Sequence, residues 1–162
     1  MLYFAYGSNL SPRQMAERCP GHAVVGVAAL PDHRLEFRGR SERWGGAVAT
    51  VVPTHAERVW GVLYELNIDH MRTLDEFEGF LGPGNQHNVY DREWVTVDLT
   101  RTFDGSIPRK VRALTYVGRF GGVGKPSRRY LDTILEGARH HALQEEYVAK
   151  LAATPVEEEA TT

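Results

Sequence analysis

Two short segments carry the residues best suited to chemistry. Leu74-Asp75-Glu76-Phe77-Glu78-Gly79 sets three carboxylates within four positions. Ile68, Met71 and Leu74 recur at helical spacing after Asn67, a capping residue, and Gly79 offers a stop, so these carboxylates fall on the last turn of a helix. Anions there meet the negative end of the helix dipole, and at least one of them needs a reason. Glu78 follows Leu74 by four and shares its inward side, whereas Asp75 and Glu76 are expected to turn away. Desolvation on that side would raise the pKa of the Glu78 carboxyl, as a general base working near neutral pH requires. The competing reading is a solvated charge run, and the segment taken alone favours it.

The second segment is Tyr6-Gly7-Ser8-Asn9-Leu10. It follows the apolar run Leu2 to Tyr6 and precedes Ser11-Pro12-Arg13-Gln14, in which a capping hydroxyl stands before a first-turn proline and a Gln three residues later. A glycine between strand and helix permits a sharp turn, and the N–H groups after it can hold a carboxylate or phosphate. A plain turn, with Ser8 and Asn9 satisfying nearby backbone groups, explains the fragment as well, and on this fragment alone it is the favoured reading.

Other candidates fall away. His22, His33, His55, His70, His87, His140 and His141 show no metal-ligand spacing, and no nucleophile elbow accompanies Ser8. Cys19 stands alone, so neither an internal disulfide nor a thiolate zinc site can form. Gly121-Gly122-Val123-Gly124-Lys125 lacks phosphate-loop spacing and reads as a turn. No metal or cofactor is called for.

The elements around these segments must position them. β-rich stretches cover Val24 to Leu30, Arg34 to Phe37, Ala47 to Val52 and Arg58 to Leu66, with Pro31-Asp32, Gly39, Gly45-Gly46 and Pro53 between them. A helix over about Pro12 to Arg18 comes first, and the Asn67-capped helix follows the central strand. Residues 80–88 form a polar, flexible loop, and the stretch Phe80 to Val89 is expected to border the pocket. Trp94 to Leu99 alternates and pairs with Arg109 to Val117. Pro126-Ser127 opens a helix with Tyr130, Ile134, Leu135 and Ala138 on one side, and a last helix spans about Leu143 to Leu151. Strands crowd the middle without strict alternation with helices, which predicts an α+β fold, a mixed barrel-like sheet with flanking helices. One domain over residues 1–154 is expected, with a disordered acidic tail over residues 155–162.

Nineteen basic and twenty-one acidic residues leave a net charge of −2 and no field to attract a polyanion, so nucleic acid is not an expected partner. The apolar start of the chain is too short for a signal peptide or a membrane span, and a cytoplasmic location with no membrane partner is expected.

The pieces together resemble the γ-glutamyl cyclotransferase family, including the AIG2-like proteins. Leu2 to Leu10, Trp44 to Thr50, Val59 to Tyr64, Leu74 to Gly79 and the Tyr130 helix stand in the family's order. The resemblance implies closure of a γ-glutamyl group to 5-oxoproline with release of an amine. Glu78 would be the general acid/base, Tyr6, Gly7, Ser8, Asn9 and Leu10 would hold the glutamyl moiety, and Tyr90 and Tyr130 would line the pocket. The partner is then a small γ-glutamyl compound. The other classes to weigh are a non-catalytic AIG2-like binding module and an acyl-transfer or hydrolytic enzyme using Ser8.

Overall fold

The structure is a computed structural model that describes residues 1–158. Its strands are β1 (Leu2–Ala5), β2 (Ala23–Ser41), β3 (Gly46–Glu65), β4 (Tyr90–Thr102) and β5 (Arg109–Gly118). They close into a barrel in the order β1-β3-β2-β4-β5. The seam between β1 and β5 is parallel, with Tyr3 opposite Leu114, and every other pairing is antiparallel. Helices α1 (Pro12–Arg18), α2 (Ile68–Glu78), α3 (Arg128–His140) and α4 (Glu145–Ala152) flank it. The mixed, barrel-like α+β architecture expected from the sequence is the one observed.

Four expected strands are in fact two, of 19 and 20 residues. Pro31-Asp32, Gly39 and Pro53 are irregularities within continuous pairing, whereas Gly45-Gly46 marks the turn between the two strands. The register shifts between Pro31 and His33 and again between Arg38 and Ser41. Asp32 takes φ 55°, and its carboxylate accepts the N–H of Ala56, itself at φ 64°, at 3.0 Å. An extra residue accommodated this way bends a strand and tightens its twist without ending the ladder. Pro53 sits opposite His33 at the first of these shifts, where a missing donor is tolerated.

Phe4, Val62, Leu63, Val97, Leu99 and Ala113 from the strands meet Met71 and Leu74 of α2 and Leu131 and Ile134 of α3, none more than 2% exposed. Burial of each such aliphatic or aromatic side chain contributes about 1.5–3 kcal/mol, which fixes both helices to the barrel. The loop after β1 forms a 3-10 turn over Ser8–Leu10, and α3 lies directly on it. A Cβ on Gly137 of α3 would stand 2.2 Å from the Leu10 carbonyl carbon, so only glycine permits this approach.

Helix α2 is bounded as its sequence indicates. The Asn67 side chain accepts from His70 N–H at 2.8 Å while His70 Nδ1 accepts from Asn67 N–H at 3.2 Å. Gly79 takes the left-handed conformation at φ 65°, leaving Glu78 as the last helical residue. Helix α1 spans the expected residues, with the Ser11 hydroxyl accepting from Gln14 N–H. Ser127 caps α3, so Pro126 precedes the cap instead of occupying the first helical position.

Of the acidic tail expected to be disordered, Pro155 to Glu158 are described. Val156 packs against the core and Glu157 N–H donates to the Pro126 carbonyl at 2.9 Å. The other tail residues lie outside the described ones. Among the described residues no helix is long and apolar enough to cross a membrane.

Candidate active site

Strand β1 ends beside the C-terminus of α2, which brings the two chemistry-bearing segments together. They share a cavity of about 320 Å³. Tyr6, Gly7, Ser8, Asn9, Glu78, Tyr90 and Tyr130 all line it. Leu10, the remaining expected ligand, does not. It is fully buried beneath α3 and anchors the loop from behind.

Glu78 is half-buried, and desolvation raises its carboxyl to about 7. Arg18, the Asn9 amide and Arg43 each oppose that rise, and burial prevails. A carboxyl poised there exchanges protons readily at neutral pH. Asn9 Nδ2 donates to Glu78 Oε1 at 3.3 Å and to Tyr3 Oη at 2.9 Å.

Asp75 does not turn away to solvent, contrary to expectation. Its carboxylate accepts from Tyr116 Oη at 2.6 Å and pairs with Arg92 at 2.8 Å. The helical spacing holds, but β5 and β4 reach across to a second side of α2 that the spacing alone does not reveal. Glu76 is exposed as expected.

The glycine of the loop is also used differently. Gly7 has φ −111°, outside the left-handed region, and an added Cβ would make only ordinary contacts, 3.5 Å from Tyr130 Oη and 3.6 Å from Ala49 Cβ. Glycine here keeps the cavity floor open. Ser8 Oγ accepts from Gln14 Nε2 at 2.8 Å, and no histidine serves it as a base.

Aromatic rings build the walls. Tyr6 Oη donates to the Tyr116 carbonyl, and Tyr90 Oη donates to the Ala49 carbonyl at 2.8 Å. Tyr130 Oη instead accepts from Ala49 N–H at 2.9 Å. Its own proton therefore stays free for an oxygen inside the cavity. Burial raises the pKa of all three phenols, so each remains a neutral O–H at any working pH.

Of the stretch Phe80 to Val89 expected to border the pocket, Val89 lines the cavity and residues 80–88 do not. Buried Asn88 accepts from Leu81 N–H at 2.6 Å and donates to the Gly82 carbonyl at 2.8 Å, tying the loop to itself. From this side only Gly79, Val89 and Tyr90 reach the cavity. The end of β2 supplies Arg40 and Ser41 instead, and the turn to β3 supplies Arg43 and Trp44. Among the described residues no group of three or more His, Cys, Asp or Glu side chains is placed to hold a metal ion.

The family model for "Gamma-glutamyl cyclotransferase, AIG2-like" matches residues 3–137, which include every residue of this cavity. The chain belongs to this γ-glutamyl cyclotransferase family. It is 33% identical over 157 residues to a γ-glutamylcyclotransferase of Mus musculus and 32% identical to that of Homo sapiens, each alignment covering 94% of this chain and 77% of the relative. A solved γ-glutamyl cyclotransferase superposes with a TM-score of 0.87 at 29% identity, covering 100% of this chain and 92% of that one.

Within this cavity stand several residues that sequence reasoning missed. Tyr3 and Tyr116 meet edge to face at 5.7 Å, and Trp44 stacks obliquely on Tyr130 at 5.0 Å. Phe77 lies under two guanidinium groups, Arg18 at 4.0 Å and Arg43 at 4.7 Å. The signal for Arg18 was present, since it follows Gln14 by four on α1 and must share its face. Trp44 entered only through the family resemblance and Arg43 carried no signal, because the hairpin turn that delivers them depends on strands reading continuously through Gly39.

Proposed function

We propose that the protein is a γ-glutamyl cyclotransferase in which Glu78 carries the proton. The observation behind this reading is a carboxyl raised to about 7, at the edge of a cavity shared with the Gly7 to Asn9 loop. The α-ammonium of a γ-glutamyl compound gives a proton to the Glu78 carboxylate. The freed amine attacks its own δ-carbonyl carbon, forming the five-membered ring. The bond from that carbon to the departing nitrogen then breaks as Glu78 returns the proton to that nitrogen. The second proton of the ring nitrogen passes to the released amine, which leaves as an ammonium. The products are 5-oxoproline and a free amine.

Both reacting groups belong to one molecule, so the cavity's work is to fold the substrate and stabilise the oxyanion. The free proton of Tyr130 Oη suits that oxyanion, and the N–H groups that open the 3-10 turn suit the glutamyl carboxylate. The test is release of 5-oxoproline from a panel of γ-glutamyl amino acids and amines, with Glu78→Gln beside the unaltered protein. Turnover that disappears in a folded Glu78→Gln variant supports the reading. Equal turnover in that variant, or none with any substrate in the unaltered protein, overturns it.

A further inference from the structure

The Asn9 side chain is 3% exposed for the whole residue and sits between helix α1 and the carboxylate at the end of α2. An amide has an accepting end and a donating end, and the groups around it decide which faces where. On one side, Oδ1 accepts from Arg18 Nη1 at 3.1 Å and from Gln14 Nε2 at 2.9 Å. On the other, the two Nδ2 hydrogens go to Tyr3 Oη and Glu78 Oε1. A guanidinium can only donate, so Arg18 admits one orientation of the amide. Reversal would set Asn9 oxygen against the Glu78 carboxylate and Asn9 N–H groups against the Arg18 cation.

Gln14 reinforces the choice, because its amide nitrogen also donates to Ser8 Oγ at 2.8 Å. Tyr64 Oη holds the Asn9 carbonyl at 2.8 Å, so the backbone cannot turn to relieve a misplaced side chain. We infer that Gln14 and Arg18, one turn apart on α1, orient the Asn9 amide so that it grips the Glu78 carboxylate, making the Asn9 side chain a positioning group for the base and not a substrate ligand. This rests on Glu78 being the base of the proposed reaction. The other charged or titratable groups facing Glu78 or its cavity are Arg43 from the β2–β3 turn, Arg40 from the end of β2, Glu76 of α2, Tyr3 and Tyr6 from the β1 region, Tyr90 from β4, Tyr116 from β5 and Tyr130 from α3. None of them touches the accepting end of the Asn9 amide.

The experiment reads the Glu78 carboxyl directly, by 13C NMR titration of ligand-free protein labelled at glutamate carboxyl carbons, with the resonance assigned by its loss in Glu78→Gln. Kinetics of 5-oxoproline release from γ-glutamyl-alanine are followed in parallel against pH. Asn9→Asp keeps the acceptor for Gln14 and Arg18 but presents an anion to Glu78, and Gln14→Leu with Arg18→Met frees the amide to reverse. Arg18→Met alone marks how much of the double variant's shift comes from losing the Arg18 charge, which itself lowers the Glu78 carboxyl. Asn9→Asp and the double variant should both move the titration midpoint up by about one pH unit or more. Both should also lower kcat near neutrality by about tenfold while KM changes little. Arg18→Lys, which keeps a donor and a charge, should restore most of the midpoint.

A midpoint unmoved in both variants, or a loss confined to KM, overturns the inference. Asn9→Asp is nearly isosteric and decides the matter if the double variant does not fold. Absence of 5-oxoproline release by the unaltered protein would end the cyclotransferase reading, yet the titration would still decide whether this network positions Glu78.

Discussion

Tyr116 Oη donates to Asp75 Oδ1 at 2.6 Å, joining β5 to α2 one helical turn before Glu78. The other oxygen of Asp75 holds Arg92, whose guanidinium also lies over the Phe80 ring at 4.8 Å. Two carboxylates of one helix are thus given different duties by their surroundings. Asp75 holds one donor on each oxygen and fastens the helix to the barrel, whereas Glu78 faces the cavity with one amide contact.

Asp75→Asn separates these duties. The amide can still accept from Tyr116 but turns N–H groups toward Arg92, leaving a partly buried cation unpaired. Stability should fall by about 1–3 kcal/mol, read from denaturant unfolding, with turnover held within a few fold. A turnover loss as deep as that of Glu78→Gln would show that the wrong carboxylate has been given the proton.

Glu78 should also leave a mark on stability. Its folded pKa, about 7, lies above that of an exposed carboxyl, so the folded state favours the protonated form. The contribution is complete below the unfolded pKa and is lost as pH rises through about 7. Glu78→Gln should therefore match the unaltered protein in melting temperature near pH 4 and exceed it at pH 8. The gain at pH 8 is at most about 3.5 kcal/mol, since each pH unit between the folded and unfolded values corresponds to about 1.4 kcal/mol. A variant less stable at pH 8 than the unaltered protein would mean that the carboxylate is held charged.

The sequence made the two halves of the site visible because each is local. A strand, a glycine, a cap and a proline define the loop, and a capped helix with a terminal glycine places Glu78. What it concealed is non-local. Asp75 looks solvated until Tyr116, 41 residues away, is seen to reach it. Pro31, Gly39 and Pro53 look like strand ends because a bulge and a turn use the same residues, and only the partner strand tells them apart. That ambiguity hides the β2–β3 turn and, with it, Arg43 and Trp44.

Choice of leaving amine should accordingly lie with that turn and not with residues 80–88. Arg43 makes no ion pair among the described residues and points its guanidinium over Phe77 at the cavity. Arg43→Ala should lower kcat/KM by about tenfold for γ-glutamyl compounds whose leaving amine carries a carboxylate, in line with a lost charged hydrogen bond of about 1.5–3 kcal/mol. Neutral leaving amines should be little affected. Shortening the loop between Gly82 and Gln86 should leave the substrate ranking alone, and a changed ranking there would place specificity in that loop.

The contact between α3 and the binding loop gives the sharpest structural test. Gly137 lies against the Leu10 backbone, with its added Cβ 2.2 Å from the carbonyl carbon and 2.3 Å from the oxygen. Neither atom can swing aside as a side chain would, so Gly137→Ala must push α3 away from the 3-10 turn. Ala is the better helix former by about 1 kcal/mol, and a stabilised variant would follow if the contact were loose. The expected outcome is the reverse, a loss of about 1–3 kcal/mol as for other overpacked sites. Because Leu10 adjoins Asn9 and Tyr130 rides on the same helix, KM should rise together with the loss of stability. Unchanged melting and unchanged KM would show that α3 does not set the position of the loop.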